Sequence, residues 1–458
     1  MPNSQPAALK QPVLDTDRII RKQVMDLAWP VMAESVLQTF AQIVSMALVG
    51  HLGANAVASI GLSMQPLNLF YGVFMGAGVA ATAVVARLKG AGQKQDAARA
   101  AAQSIMLSVI IATLGALLIA TRAEQIVVWM GAEPGVVKEG TRYLLVMTPG
   151  LFCMWISTVL TGALRGVGDT RTPMKVNIVI SIINFAGNIV LVYGMLGFPA
   201  MGVLGAGIAT STARLAGAIL LFIPYLSGKT LLPVNLRQDF KWDSPLIKRL
   251  ARVGIPGIME RLLMSTAFLF YTRMIAGLGS TSYAAHAIGV NAESLSYMPA
   301  QAFSIAATTL VGQYLGSRQP ELAEKSTWQS LKMACLLVGT LALVFGFFPG
   351  VLMQFYTSDP EVIHLGGIYL QIMALCQIPQ AFSWVFLGAM RGAGDTRISM
   401  LVTAFSAWVV RLGLTYTFIN ILHTDVTGAW WAMGADGLFK GIAGFIWFRS
   451  GYWKKSVA

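Results

Sequence analysis

The chain has 458 residues, 55% of them hydrophobic and only 12% charged, with a mean hydropathy of +0.65. Soluble domains carry about 25% charged residues, so this composition excludes an ordinary soluble domain and indicates an integral membrane protein. The net charge of +13 does not indicate a nucleic-acid partner, because the basic residues sit between apolar runs in the pattern of the positive-inside rule.

A spanning helix needs about 20 mostly apolar residues. Twelve runs qualify, at roughly 25–49, 61–86, 101–121, 143–163, 174–197, 203–226, 253–277, 287–313, 331–350, 367–389, 400–421 and 428–449. Pro30, Pro66, Pro149, Pro256, Pro299 and Pro379 lie inside them and predict kinks, which membrane helices tolerate because neighbours satisfy the freed carbonyls. The polar first 23 residues and the length of the following run predict no cleavable signal peptide. Cys153, Cys335 and Cys376 fall within apolar runs and are expected as small buried hydrophobes. With the N-terminus inside, 25 lysines and arginines fall in cytoplasmic segments, against only Arg122, Lys138 and Arg142 on the opposite face. That asymmetry predicts both termini in the cytoplasm.

The polar segment Gly162-Ala163-Leu164-Arg165-Gly166-Val167-Gly168-Asp169-Thr170-Arg171 recurs 226 residues later, from Gly388 to Arg397. At the same offset Pro30 matches Pro256, Glu34 matches Glu260, Tyr143 matches Tyr369 and Gly202 matches Gly428. The chain therefore reads as an N-terminal six-helix lobe (1–226), a cytoplasmic linker (227–252) and a C-terminal six-helix lobe (253–458). An even number of spans per half predicts lobes related by a pseudo-two-fold axis along the membrane normal, with a cavity between them. The repeated loops fall on the cytoplasmic side. Their glycines suit tight turns, their arginines suit headgroups, and Asp169 and Asp395 can cap the next helix or pair with Arg165 and Arg391. The Lys-Ser/Thr of a P-loop is missing from both copies, so ATP hydrolysis is not expected.

These motifs resemble those of the multidrug and toxic compound extrusion (MATE) family. The resemblance spans nearly the whole chain. It includes Pro30 followed by Val49-Gly50-His51-Leu52-Gly53, the stretch Leu310-Val311-Gly312-Gln313-Tyr314-Leu315-Gly316, both Arg-Gly-x-Gly-Asp-Thr-Arg loops, and the Gly202–Thr210 segment. It implies an all-α polytopic membrane protein with two pseudo-symmetric lobes in a V shape. It also implies export of cationic amphipathic compounds by alternating access, in exchange for H⁺ or Na⁺ and without a cofactor. Two departures stand out. The aspartates that many members carry in the first and fifth spans are here Ser45 and Val192.

Ionisable residues within spans are costly, at least ~2.5 kcal/mol at a helix centre, and are functional candidates by default. The acidic ones are Glu34, Glu260, Glu293 and Asp436. Glu34 and Glu260 each follow a kinking proline by four residues; they either share a cavity or pair with arginines near the cytoplasmic end. Glu293 and Tyr297 are one helical turn apart and share a face. Arg261 and Arg273 lie near enough in sequence to neutralise Glu293 or Glu260, and Asp436 with Lys440 reads as an internal ion pair. Asn177, Ser181, Asn184 and Asn188 form one polar stripe, lining a hydrated cavity or bonding a neighbouring helix. The candidate cation- or substrate-binding set is Glu34, Glu260, Glu293, Gln38, Ser45, Asn177, Asn184, Asn188 and Tyr297.

The expected function is a secondary-active antiporter for organic cations, a monomer in the inner membrane of a bacterium in contact with lipid. The alternative is a flippase for lipid-linked substrates, which would need Arg214, Arg261, Arg273 or Arg411 to line the cavity. A membrane-embedded enzyme is not expected, because no catalytic or metal-ligand cluster occurs among the four histidines and few buried acids.

Overall fold

The structure is a computed structural model describing residues 13–50, 54–130, 134–195, 197–226 and 238–455. Within these, the side chains of 13–15, 42–50, 54–66, 68, 69, 134–136, 226 and 455 lie outside the description.

Among the described residues twelve long helices follow one another: α1 (Val13–Gly50), α2 (Ala54–Gly90), α3 (Lys94–Trp129), α4 (Pro134–Gly166), α5 (Arg171–Tyr193), α6 (Gly202–Leu226), α7 (Ser244–Ala276), α8 (Ser280–Gly316), α9 (Pro320–Phe347), α10 (Pro360–Gly392), α11 (Thr396–Ile421) and α12 (Val426–Ser450). Each corresponds to one predicted run, and most extend past it by a turn or more, because polar residues at a membrane surface continue a helix as well as apolar ones do. At α7 the extension has a local cause: the Asp243 side chain accepts from the Leu246 N–H at 3.1 Å, and a proline follows in the first turn. The helix so begins at Ser244 rather than near 253.

Nine of the helices are, among the described residues, long and apolar enough to cross a membrane by composition alone. The exceptions are α1, α8 and α12, and these carry Glu34, Glu293 and the Asp436–Lys440 pair.

Within the N-terminal half α2 packs on α3 and α4, and α6 packs on α4 and α5; within the other half α8 packs on α9 and α10, and α10 packs on α12. The halves meet where α2 crosses α7 and α8, and where α1 lies against α8. At that junction the glycines are needed for close approach. A Cβ on Gly90 would lie 1.9 Å from the Gln313 carbonyl oxygen, and one on its counterpart Gly316 would lie 2.1 Å from the Arg87 carbonyl oxygen. A Cβ on Gly76 would lie 2.6 Å from the Ile258 nitrogen, where α2 crosses α7.

The repeated loops are congruent. Gly168 and Gly394 have φ of 87° and 86°, a region open to glycine and strained for most other residues. The Asp169 N–H donates to the Leu164 carbonyl and the Asp395 N–H to the Met390 carbonyl, both at 2.9 Å. Both loops seal the same end of the molecule. Gln313 donates to the Gly166 carbonyl at 2.8 Å, Thr309 to the Arg165 carbonyl at 3.1 Å and Arg87 to the Ala393 carbonyl at 3.3 Å, while Lys89 donates to the Val167 carbonyl. Every one of these bonds joins one half to the other except that of Lys89.

Residues 227–237 of the expected linker lie outside the described residues. The segment that follows is held to α3: Gln103 donates to the carbonyls of Asp239 at 2.9 Å and Lys241 at 2.7 Å, and Gln95 donates to the Asp239 carboxylate at 2.9 Å.

Candidate functional site

The candidate residues fall into separate clusters. The first two are copies of each other at the sealed end. Glu34 of α1 is buried and accepts from Arg165 of the first repeated loop at 2.9 Å, from Asn177 of α5 at 2.8 Å, and from Gln38 at 3.5 Å. Glu260 of α7 is buried in the same way. It accepts from Arg391 of the second loop, from Ser399 at 2.9 Å and from Thr403 at 3.3 Å. Arg165 and Arg391 are 226 positions apart, as are Asn177 and Thr403. Of the two sequence readings for Glu34 and Glu260, the observed geometry is the pairing with arginine. Asp169 does not pair with Arg165; its carboxylate accepts from the Thr172 N–H at 2.9 Å and hydroxyl at 2.7 Å, capping α5. The ion pair of Glu260 is made with Arg391; among the described residues neither Arg261 nor Arg273 forms one with it.

The Asn stripe on α5 divides. Asn177 serves Glu34, whereas Asn184 donates to Thr210 of α6 at 2.9 Å and the buried Asn188 donates to Asn184 at 3.0 Å. Its outer part thus ties α5 to α6. The Ser45 side chain lies outside the described residues.

The third cluster lies inside the C-terminal half. Glu293 of α8 is fully buried. It accepts from the Tyr369 hydroxyl and from Gln380 at 3.3 Å, both on α10, and the Tyr297 hydroxyl also reaches it. No cation stands within ion-pair distance of it among the described residues. His286 of α8 is buried beside it, edge-on to Tyr271 at 5.5 Å and to Tyr369 at 5.9 Å between ring centroids. Tyr297 is half-buried against Trp384, 6.3 Å between centroids.

Beside these groups stands the expected Asp436–Lys440 pair, at 2.9 Å. It has two members that sequence reasoning did not assign to it. Arg411 binds Asp436 and sits 5.6 Å over the Tyr271 ring, and the Ser406 hydroxyl donates to Asp436 at 2.5 Å. Ser406–Arg411 forms a π-helical turn within α11. Such an inserted residue rotates the helix face, here within the turn that carries both partners. A cavity of about 600 Å³ opens between α7 and α11 and is lined by Phe270, Arg273, Trp408 and Tyr416 among others. It contains none of the predicted site residues.

The partners that sequence reading missed carry a usable signal. Tyr369, Arg391 and Thr403 all sit at the 226-residue offset from Tyr143, Arg165 and Asn177. Gln380 and Ser406 carry no comparable mark.

Comparison with known proteins agrees with this architecture. The MatE family model matches the chain twice, over residues 30–190 and 256–417. A probable multidrug resistance protein NorM of Thermotoga maritima is 33% identical over 437 residues, covering 95% of this chain and 94% of that protein. The multidrug resistance protein MdtK of Yersinia pseudotuberculosis is 25% identical, covering 86% of this chain and 87% of that protein. A crystal structure of a MATE protein in complex with MaD3S superposes with a TM-score of 0.89 at 24% identity, covering 95% of this chain and 97% of that one. The chain is an all-α membrane transporter, not an enzyme, and belongs to the MATE family.

Proposed function

We propose that this protein exports cationic amphipathic compounds across a bacterial plasma membrane in exchange for protons, with both termini in the cytoplasm. The single observation that carries the coupling is Glu293, a fully buried carboxyl group among Tyr369, Gln380 and Tyr297 with no cation paired to it among the described residues. A carboxyl group buried without a paired cation can take up and release a proton as its surroundings open and close. Its neighbours argue for H⁺ over Na⁺. A phenol and an amide nitrogen donate to it, whereas a sodium ion needs several oxygen acceptors. Its burial makes it a proton carrier rather than a direct ligand of substrate.

Alternating access needs two states with differential affinity. The paired loops, each set within its own half by Glu34–Arg165 or Glu260–Arg391 and joined to the other half through Gln313, Thr309 and Arg87, act as the cytoplasmic gate of the state seen here. The drug-resistance designations of the relatives support a drug-sized cation as cargo.

The test is reconstitution in liposomes with ethidium as substrate, under an imposed pH gradient and separately under a Na⁺ gradient. Movement driven by the pH gradient is expected. Movement under the Na⁺ gradient alone would overturn proton coupling, and movement under neither would overturn antiport.

A further inference from the structure

The cavity between α7 and α11 takes no part in the proposed cycle. Its volume is about 600 Å³, and it is lined by Phe270, Arg273 and Gly277 of α7 and by Trp408, Leu412 and Tyr416 of α11, among others. Spacings of three and four residues put each set on one face of its helix. Both helices belong to the C-terminal half, so this is not the space between the halves. It lies away from the sealed loops: Arg273 is thirteen residues beyond Glu260, about 20 Å along α7.

The floor of the cavity is fixed. The Trp408 indole donates to the Leu263 carbonyl of α7 at 3.1 Å and meets Phe270 edge-on, 5.7 Å between ring centroids. The surrounding face is apolar and exposed, with Leu269, Val409 and Tyr416 turned outward. In a chain that spans a membrane such a face lies against lipid. Arg273 falls in the last turn of α7, and Trp408 lies eight residues before Tyr416, about 12 Å deeper along α11.

One charge stands in this apolar wall. Arg273 is exposed and forms no ion pair among the described residues, and no carboxylate is among the described residues lining the cavity. An organic cation would be repelled there and an anion drawn in. The arrangement is confined to one half. At the 226-residue offset Phe270, Arg273, Trp408 and Tyr416 match Val44, Ala47, Ile182 and Val190. The repeated fold therefore requires neither the cation nor the aromatic rings.

We propose that this cavity holds an anionic phospholipid, with its phosphate on Arg273 and an acyl chain along the groove floored by Trp408 and Phe270. A planar guanidinium recognises phosphate through paired N–H donors, and a basic pocket between spanning helices suits a lipid headgroup. The site is independent of how transport is coupled.

The test uses the full chain in detergent, stripped of lipid. The probes are dioleoylphosphatidylglycerol and dioleoylphosphatidylcholine, counted as lipid bound per protein by native mass spectrometry. The wild type should bind the anionic lipid at least about tenfold more tightly. Arg273→Gln should bring the two lipids to parity, whereas Arg142→Gln, at an exposed arginine outside the cavity, should leave the preference unchanged. Gly277→Phe fills the cavity and keeps the arginine. Gly277 has φ of −65°, open to any residue, and a Cβ there meets only carbonyls of its own turn, the nearer at 3.3 Å. This variant should lose the tightly bound lipid, and it decides the matter where Arg273→Gln fails to fold. A preference that survives Arg273→Gln or Gly277→Phe overturns the site. Displacement of the bound lipid by glycerol 3-phosphate overturns it too, because the occupant is then a free phosphate compound. Displacement by ethidium does the same, because the cavity then belongs to the cargo path.

Discussion

Replacing Glu34 by glutamine removes one of the two ion pairs that set the repeated loops at the sealed end, each lying within one half, while keeping the shape of the side chain. The pair it breaks is 2.9 Å long, and its side chains are 17% and 7% exposed. At that separation the Coulomb attraction is about 6 kcal/mol with an effective dielectric near 20. Desolvation offsets most of it, leaving about 2 kcal/mol in favour of the sealed state. The pair sets the loop whose Arg165 and Gly166 carbonyls accept from Thr309 and Gln313 of the other half, so its loss weakens the sealed state and shifts the equilibrium by up to about 30-fold toward the open one. Glu260→Gln should act alike, and the double variant should approach the sum because the pairs share no partner. The readout is the distance between spin labels on cysteines replacing Gln93 and Gln319, which are matched, exposed loop residues after α2 and α8, in a chain freed of its three native cysteines. A longer-distance population should appear in each single variant and dominate in the double. An unchanged distance distribution in both single variants would refute the gate.

Three further outcomes are expected. Gly90→Val would put side-chain atoms into the Gln313 backbone, where even a Cβ comes to 1.9 Å, so α2 and α8 must separate; the same spin-label pair should report opening, and ethidium export should fall to background. Asp436→Asn leaves Arg411 and Lys440 as buried cations without a counter-charge, a loss of about 3–5 kcal/mol, seen as a fall in Tm that Lys440→Met partly reverses in the double variant. Tyr369→Phe removes one hydrogen bond to Glu293, costs about 1–2 kcal/mol, and should shift the pH profile of transport without abolishing it.

Much of the architecture was legible because the bilayer imposes length and apolarity on every span, and because the chain states its topology twice. All twelve helices follow from apolar runs, although their ends do not: Asp243 starts α7 at Ser244 by capping, which hydropathy ignores. Glu34 and Glu260 could be located from the repeat, but not their role. Depth alone does not separate a cavity carboxylate from a gate carboxylate; the deciding fact is that the loops fold back to bring Arg165 and Arg391 onto them. Glu293 was found from sequence because a lone acid in a span is conspicuous. Its donors Tyr369 and Gln380 were not: Tyr369 is marked only by its match to Tyr143 in the repeat, which does not place it beside Glu293, and Gln380 carries no mark at all. Arg411 was placed among the span cations, but its partnership with Asp436 depends on the π-helical turn in α11, which no periodicity predicts.

Exchange at Glu293 is tested most directly by counting protons when a cation binds. Ethidium added to the detergent-solubilised protein in a weakly buffered solution should release about one proton per cation bound, and Glu293→Gln should bind ethidium with no proton release. Equal release by the wild type and Glu293→Gln, or ethidium binding by the wild type without any release, would contradict the account.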